Sequence, residues 1–152
     1  MKKYILVGGV LLFVFALSAS FSFAAGKAAP KATGEIWFDH PATYYGFAYS
    51  RFDAHDGTAI GKTDKGEFYY SDWTGYYLLE LNSVTVTGNT AYFSGSVIAS
   101  NHSCCSLENT VYISVLDGGT PGSNGDLLNG NVNNSVGVPF IPVTAGNLVV
   151  HD

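Results

Sequence analysis

A glycine-rich loop between residues 117 and 126 carries the densest group of potential metal ligands in the chain. It reads DGGTPGSNGD, which places Asp117 and Asp126 at its ends and Asn124 close to the second carboxylate. Calcium takes several oxygen ligands from carboxylates, amides and backbone carbonyls, and such a sharply turned loop can supply them. The spacing is not that of an EF-hand, so the simpler alternative is a turn whose side chains accept hydrogen bonds from backbone amides. We predict Asp117, Asn124 and Asp126 as a candidate calcium site and expect no other cofactor.

The two cysteines of the chain, Cys104 and Cys105, are adjacent. A disulfide prefers Cα atoms about 4.4–6.8 Å apart, whereas neighbours across a trans peptide lie about 3.8 Å apart. A bond between them therefore requires a strained eight-membered ring, and the alternatives are a bond to another chain or two free thiols. His102 adds a potential zinc ligand, but four zinc ligands are not visible in the sequence. We interpret Cys104 and Cys105 as a candidate redox pair.

Aromatic residues crowd the N-terminal half of the chain, several of them as doublets. They are Trp37, Tyr44, Tyr45, Tyr69, Tyr70, Trp73, Tyr76 and Tyr77. A doublet on a strand sends one ring into the core and the other outward, and outward rings can form a stacking platform for sugars. The favoured alternative is that they are ordinary cross-strand surface residues. The candidate ligand-binding residues of such a platform are Trp37, Tyr44, Tyr70 and Trp73.

Two short motifs place histidine beside carboxylates, as general acid–base sites do. They are Asp39-His40 and Asp53-x-His55-Asp56. Neither a G-x-S-x-G nor an H-E-x-x-H motif occurs, and polar residues of these types are common in loops. We therefore expect no enzyme, and a hydrolase is the least favoured function.

The clearest structural element in the sequence is a hairpin whose turn lies at residues 88–89. A two-residue turn there pairs Thr87 with Thr90 and fixes every later pair, so that Val84 faces Phe93. One face of the hairpin is then apolar and the other polar, and glycine at the first turn position is typical of a type II′ turn. The inner face predicted for this hairpin and the next strand comprises Val84, Val86, Phe93, Val111, Ile113 and Val115.

Further runs rich in Tyr, Val, Thr and Phe alternate with glycine turns, and no sustained helical periodicity interrupts them. The predicted strands span 34–39, 44–52, 67–72, 76–81, 82–87, 90–100, 109–116, 126–132 and 147–151. About eight to nine short antiparallel strands at these intervals indicate an all-β protein. The predicted fold is an antiparallel β-sandwich, Ig-like or jelly roll, and a closed barrel is the alternative.

The N-terminus has the parts of a secretory signal peptide. Lys2 and Lys3 precede an apolar stretch at 5–17. The small residues at 22 and 24 are typical of a signal-peptidase site with cleavage after Ala24. The apolar stretch is shorter than the roughly 20 residues that span a bilayer, which favours cleavage over an uncleaved anchor. The predicted organisation is a signal peptide at 1–24, a flexible lead-in at 25–33 and one β-sandwich domain at 34–152. We expect a protein that is secreted or held at the cell surface.

The chain that follows residue 24 is acidic. Without Lys2 and Lys3, the seven Lys and Arg residues fall to five against twelve Asp and Glu, a net charge of −7. Such a surface repels nucleic-acid phosphates and anionic lipid headgroups. We expect no nucleic-acid partner and no integral membrane span after cleavage. The partners expected are cell-surface polymers or other envelope proteins.

The second half of the chain contains three motifs: the hairpin VTVTGNTAYFSGSV, the segment VYISVLDGGTPGSNGD and the ending VTAGNLVVH. Together they resemble the post-COAP type of secreted bacterial β-sandwich module, over roughly residues 82–152. The positions that match are Gly88, Asn89, Ala91, Phe93, Gly95, Asp117, Gly119, Pro121, Gly122, Gly125, Asp126, Gly146, Asn147, Val150 and His151. The resemblance implies an exported accessory domain with no established catalytic role, and it supplies no catalytic residues.

The sequence therefore favours an exported, non-catalytic β-sandwich module that acts in adhesion, display or assembly at the cell surface. The alternative is a carbohydrate-binding module that uses exposed Tyr and Trp rings.

Overall fold

The computed structural model describes residues 27–39, 46–119, 122–133 and 139–152. The predicted signal peptide at 1–24 lies outside the described residues, as do His40, Tyr44 and Pro121. Eight strands form the fold: β1 (Lys31–Asp39), β2 (Phe47–His55), β3 (Lys65–Asp72), β4 (Gly75–Thr87), β5 (Thr90–Ser100), β6 (Thr110–Leu116), β7 (Leu127–Val132) and β8 (Ile141–His151). A short 3₁₀ helix, Thr58–Ile60, lies in the connection between β2 and β3.

The strands form one closed antiparallel barrel in sequence order, so the predicted β-sandwich is wrong. The closing ladder joins β1 to β8, with Gly34 opposite Leu148 and Ala32 opposite Val150. Alternating apolar and polar residues give a strand one buried face, and both a sandwich and a barrel satisfy that pattern. A barrel differs from a sandwich in that its first strand pairs with its last, and strand periodicity carries no information about that pairing.

The predicted hairpin register is confirmed. Thr87 pairs with Thr90 and Val84 with Phe93. Gly88 has a φ of 58°, whereas Asn89 has no positive φ, which is the sign pattern of the predicted type II′ turn. The two strands predicted at 76–81 and 82–87 form the single strand β4, whose pairing with β5 shifts near residues 81–83. Strand β1 begins at Lys31, inside the segment 25–33 predicted as a lead-in.

The barrel interior is filled by side chains, as expected for eight strands. The six residues predicted for the inner face around the hairpin are all buried. Phe52, Phe68 and Phe93 contact one another at centroid distances of 5.4–6.0 Å. Gly34 leaves space for this cluster, because a Cβ atom there would lie 2.5 Å from the Phe52 ring.

The up-and-down order of the strands places alternate connections at the same end of the barrel. We call one end the hairpin end: it carries the turn at 88–89 and the loops 56–64 and 117–126. The opposite end, here called the cysteine end, carries the turn at 73–74 and the loop 101–109 with both cysteines. The candidate functional groups are therefore divided between two ends and an outer wall.

Phe93→Ala should lower the free energy of unfolding by about 3–5 kcal/mol, because it empties the centre of the aromatic cluster. Phe93 is 3% exposed, whereas its neighbour Tyr92 is 52% exposed on the outer face. Tyr92→Ala is the matched control and should cost clearly less. Urea unfolding of both variants measures the difference, and equal losses would contradict the inward position of Phe93.

Candidate functional site

A cavity of about 430 Å³ opens at the cysteine end of the barrel. Its inner wall is apolar and includes Phe38, Phe68, Tyr77, Val111, Ile113 and Leu128. Its polar residues include Tyr70, Asp72, Thr74, His102, Cys104 and Asn131. A mostly apolar wall with a few convergent polar groups is typical of small-molecule sites.

Asp72 is the centre of the polar group at this cavity. Its side chain is 5% exposed. Thr74 donates to Oδ1 from its backbone N–H at 2.7 Å and from its hydroxyl at 2.6 Å. The Tyr70 hydroxyl donates to Oδ2 at 2.9 Å, and His102 Nε2 lies 3.2 Å from both oxygens. Both oxygens of the Asp72 carboxylate therefore face hydrogen-bond donors of the protein.

His102 is held by both of its ring nitrogens. Nε2 faces Asp72 and also contacts the Thr74 hydroxyl, which requires the proton on Nε2 because that hydroxyl donates to Asp72. Nδ1 accepts the backbone N–H of Cys104 at 3.1 Å. The edges of the ring also contact Tyr70 and Tyr77, with centroids 5.7 and 6.0 Å apart. A ring that carries its proton on Nε2 and accepts at Nδ1 satisfies all of these contacts.

Burial and hydrogen bonding act in opposite directions on the ionisation of Asp72. Burial disfavours its charge, but the hydrogen bonds from Thr74, His102 and Tyr70 outweigh burial and lower the pKa of Asp72 to about 2. Burial, followed by the proximity of Asp72, raises the pKa of Tyr70 and of Tyr77. At neutral pH the group therefore holds one carboxylate and two neutral phenols.

Cys104 and Cys105 are bonded to each other, with Cα atoms 3.8 Å apart. Of the alternatives that the sequence left open, the structure contains the internal ring. Cys105 is fully buried, whereas Cys104 is exposed and lines the cavity. Within the described ranges, the one group of three or more potential metal-ligating side chains is His102, Cys104 and Cys105, whose ligand atoms lie within 4.8 Å of one another.

A row of four aromatic rings crosses the outer wall on β1 to β4. Trp37 contacts Tyr49 at 5.1 Å between centroids, Tyr49 contacts Tyr69 at 6.1 Å, and Tyr69 contacts Tyr76 at 6.0 Å. Trp37 and Tyr76, at the two ends of this row, are each 38% exposed. We call these four residues the aromatic row.

A depression of about 430 Å³ adjoins the row on the same wall. Tyr69 belongs to both features. The charged and amide side chains that line the depression are Glu35, Arg51, Asp53, Glu67 and Asn147. Glu35 also accepts the Tyr49 hydroxyl at 3.1 Å. Burial, followed by the Glu35 contact, raises the pKa of Tyr49, which keeps this hydroxyl protonated.

The aromatic residues predicted as ligand-binding are distributed differently. Trp37 lies in the row, Trp73 is exposed on the turn between β3 and β4, and Tyr70 points into the barrel. Sequence reasoning missed Tyr49 as a row member and did not select Tyr69 or Tyr76. The available signal was strand alternation, because within each doublet the partner of a buried ring must face outward.

Asp72 and Thr74 were not selected from the sequence. Two signals were available: Phe68, Tyr70 and Asp72 share one face of β3 by alternation, and Asp followed two residues later by Thr is typical of a turn closed by a carboxylate. What brings His102 to this pair is the adjacency of the turn at 73–74 and the loop at 101–109, since β4 pairs with β5.

In the predicted calcium loop, all four carboxylate oxygens accept backbone N–H groups. Asp117 accepts from Gly119 at 2.7 Å and Val150 at 3.0 Å. Asp126, which is fully buried, accepts from Gly118 at 2.9 Å and Leu148 at 3.3 Å. Burial raises the pKa of Asp126, and the charge of Asp117 adds to that effect.

Asn124 is exposed in the same loop. The geometry is that of the alternative considered above, a turn whose acidic side chains are satisfied by amides. The calcium site itself stays a prediction.

His40 of the Asp39-His40 motif lies outside the described residues, and the described residues of the two His–Asp motifs do not converge on a common site. His55 Nε2 lies 2.9 Å from Asp53 on the outer wall. Asp56 is buried at the hairpin end, where it accepts from Thr58, from Ala59 and from the backbone N–H of Val86. Burial opposes the charge of Asp56, but these hydrogen bonds lower its pKa. Asp39 is the last residue of β1 and lies at the opposite end of the barrel from Asp56.

Comparisons with protein-family models, curated proteins and solved structures give no match to this chain. Across residues 27–39, 46–119, 122–133 and 139–152, no helix is long and apolar enough to cross a lipid bilayer.

Calcium should leave the melting temperature unchanged, because amides already compensate the carboxylates of the 117–126 loop. A bound ion would raise the melting temperature with its concentration. Thermal melts in calcium and in chelator measure this directly. A rise that grows with calcium in the unmodified protein and is lost in Asp126→Asn would show that the loop is a calcium site.

Asp72 should make the protein sensitive to acid. Its pKa falls from 3.8 to about 2 on folding, so its contribution to stability is present above pH 3.8 and is lost as the pH falls towards 2. Asp72→Asn should therefore be less stable at neutral pH and should lose less stability between pH 4 and 2.

Urea unfolding at a series of pH values tests this expectation. Asp39→Asn, which changes an exposed carboxylate, is the control. Parallel pH profiles for Asp72→Asn and the unmodified protein would show that Asp72 is not responsible.

Proposed function

We propose that this protein is an exported, non-catalytic barrel module that binds polysaccharide chains at the cell surface or in the extracellular space. The observation that carries the proposal is the aromatic row of Trp37, Tyr49, Tyr69 and Tyr76. Binding to a surface polymer would serve adhesion, display or assembly. Export rests on the signal peptide predicted at 1–24.

The aromatic row supplies the apolar half of a sugar-binding surface. The C–H faces of a sugar ring are apolar and pack against aromatic rings. Four rings on four neighbouring strands form an extended surface, which suits a chain of sugar units better than a single one. Because the rings contact one another and stand on a barrel, little side-chain freedom is lost when a ligand binds.

The adjoining depression supplies the polar half. Sugar hydroxyls both donate and accept hydrogen bonds, so a site needs donors and acceptors close to its aromatic surface. Arg51 offers donors, Glu35 and Glu67 offer acceptors, and Asn147 offers both. The acidic wall suits a neutral polysaccharide better than a polyanionic one.

The non-catalytic part of the proposal is supported by the state of the histidines near carboxylates. His102 has both ring nitrogens engaged in this structure, with Asp72 and with the backbone N–H of Cys104, so a substrate proton would have to displace one of these contacts. His55 and Asp53 form a pair on the outer wall, and among the residues that the structure describes no hydroxyl or thiol hydrogen-bonds to His55 to form a nucleophile–base–carboxylate set.

Affinity electrophoresis in gels that contain neutral polysaccharides tests the proposal. Trp37→Ala and Tyr69→Ala should each weaken retardation by about tenfold, because each removes one stacking ring. Tyr92→Ala and Tyr112→Ala are matched controls, since both change exposed tyrosines on β5 and β6 outside the row. The proposal fails if no polysaccharide retards the protein, or if the control variants lose as much affinity as the row variants.

A further inference from the structure

We propose that reduction of the Cys104–Cys105 disulfide creates a zinc site at the cysteine end, formed by His102, Cys104 and Cys105. This site is separate from the aromatic row and does not depend on the proposed polysaccharide binding. Its ligand class is a soft, thiophilic divalent cation, because thiolate and imidazole ligands select zinc over calcium or magnesium.

The three ligand atoms are already close enough. They lie within 4.8 Å of one another. Zinc binds sulfur at about 2.3 Å and imidazole nitrogen at about 2.0–2.1 Å, so its tetrahedral ligands lie roughly 3.5–4 Å apart. After reduction the two sulfurs are free to separate to that distance. The change needed is a local movement of side chains in the loop 101–109 and not a rearrangement of the barrel.

His102 has the orientation that a metal-binding histidine needs. Zinc-bound imidazoles almost always donate their second ring N–H to a carboxylate, a backbone carbonyl or water, which fixes the tautomer and the direction of the ring. Here Nε2 lies 3.2 Å from both oxygens of the buried Asp72, and Nδ1 faces the cysteine segment. On metal binding, Nδ1 would exchange the Cys104 N–H for the ion. Asp72 is therefore a positioning residue of the proposed site.

The barrel leaves room for the ion and for one further ligand. Cys104 and His102 lie on the wall of the cavity at this end. Three protein ligands leave the fourth tetrahedral position of zinc open, as in sites where zinc binds water or a second molecule. That position would face the cavity, because His102 and Cys104 both line it.

The redox step is an exchange with a dithiol reductant. The reductant gives up two electrons and two protons and becomes a disulfide, the S–S bond of Cys104 and Cys105 breaks, and each sulfur gains one proton. Zinc then displaces those two protons and binds two thiolates. In the oxidised protein the sulfurs are bonded to each other and are not thiolate ligands. Metal binding at this site is thus conditional on the redox state of the chain.

Titration with Co²⁺ tests the site, because Co²⁺ substitutes for zinc and reports thiolate ligands by charge-transfer absorption. The full mature protein is titrated as purified and after treatment with dithiothreitol followed by oxygen-free desalting. We expect one Co²⁺ per reduced chain, with thiolate absorption that Zn²⁺ abolishes by displacement, and no such absorption from the oxidised protein. Cys104→Ser and His102→Gln should each abolish the one-to-one site under reducing conditions.

Two further variants separate positioning from folding. Asp72→Asn should weaken Co²⁺ binding by about 10–100-fold while it keeps the thiolate absorption, which a merely structural role would not produce. His55→Gln is the matched control, because His55 also contacts a carboxylate but has no cysteine in its motif. Circular dichroism of the reduced protein checks that the barrel persists.

The proposal is overturned by any one of several results. These are the absence of Co²⁺ binding by the reduced protein, equal binding by both redox forms, one ion shared by two chains, and unfolding of the barrel on reduction. It is also overturned if His55→Gln loses as much affinity as His102→Gln.

Discussion

The barrel depends on how the backbone N–H and C=O groups at its strand edges are satisfied. An unpaired edge group that is shielded from water costs about as much as a lost hydrogen bond. The ladder between β1 and β8 removes the two outer edges of the sheet by joining them, over most of the length of β1. Closure in turn sets the diameter of the interior, which is filled by phenylalanines in the middle and left open at the cysteine end.

At two places in the described barrel, a strand runs past the end of its neighbour and a pair of aspartates accepts hydrogen bonds from its free edge. Strand β4 continues beyond its last pair with β3, and the N–H groups of Val84 and Val86 there donate to Asp64 and Asp56. Strand β8 continues beyond its short pairing with β7, and the N–H groups of Leu148 and Val150 donate to Asp126 and Asp117. The two members of each pair accept N–H groups two residues apart on one strand. The loops 56–64 and 117–126 thus perform the same structural task in the two halves of the barrel.

The two ends of the barrel therefore use their polar side chains differently. The carboxylates that look most like a calcium site are used at the hairpin end as hydrogen-bond acceptors for strand edges. At the cysteine end, by contrast, side chains from two connections and from the end of β3 converge on one another, and Asp72 organises Thr74, Tyr70 and His102 beside the disulfide. The outer wall carries the third feature, because the strands that bury Phe38, Phe52 and Phe68 must turn Trp37, Tyr49 and Tyr69 outward.

Features that depend on local geometry could be predicted from the amino-acid sequence. The hairpin register followed from a two-residue turn, and the inner face around Phe93 followed from alternation with a period of two residues. The choice between a sandwich and a barrel was not accessible, because it depends on a pairing between residues more than 100 positions apart, such as Gly34 and Leu148. The same limit applied to the functional groups. Adjacent cysteines and His102 are visible in the sequence, but their relation to Asp72 requires β3 to lie beside β4 and β4 beside β5. The aromatic row likewise exists only because four strands that are consecutive along the chain are also neighbours in space. Tertiary structure decided these points because side chains that are distant in sequence meet only when the strand order and the closing ladder are set.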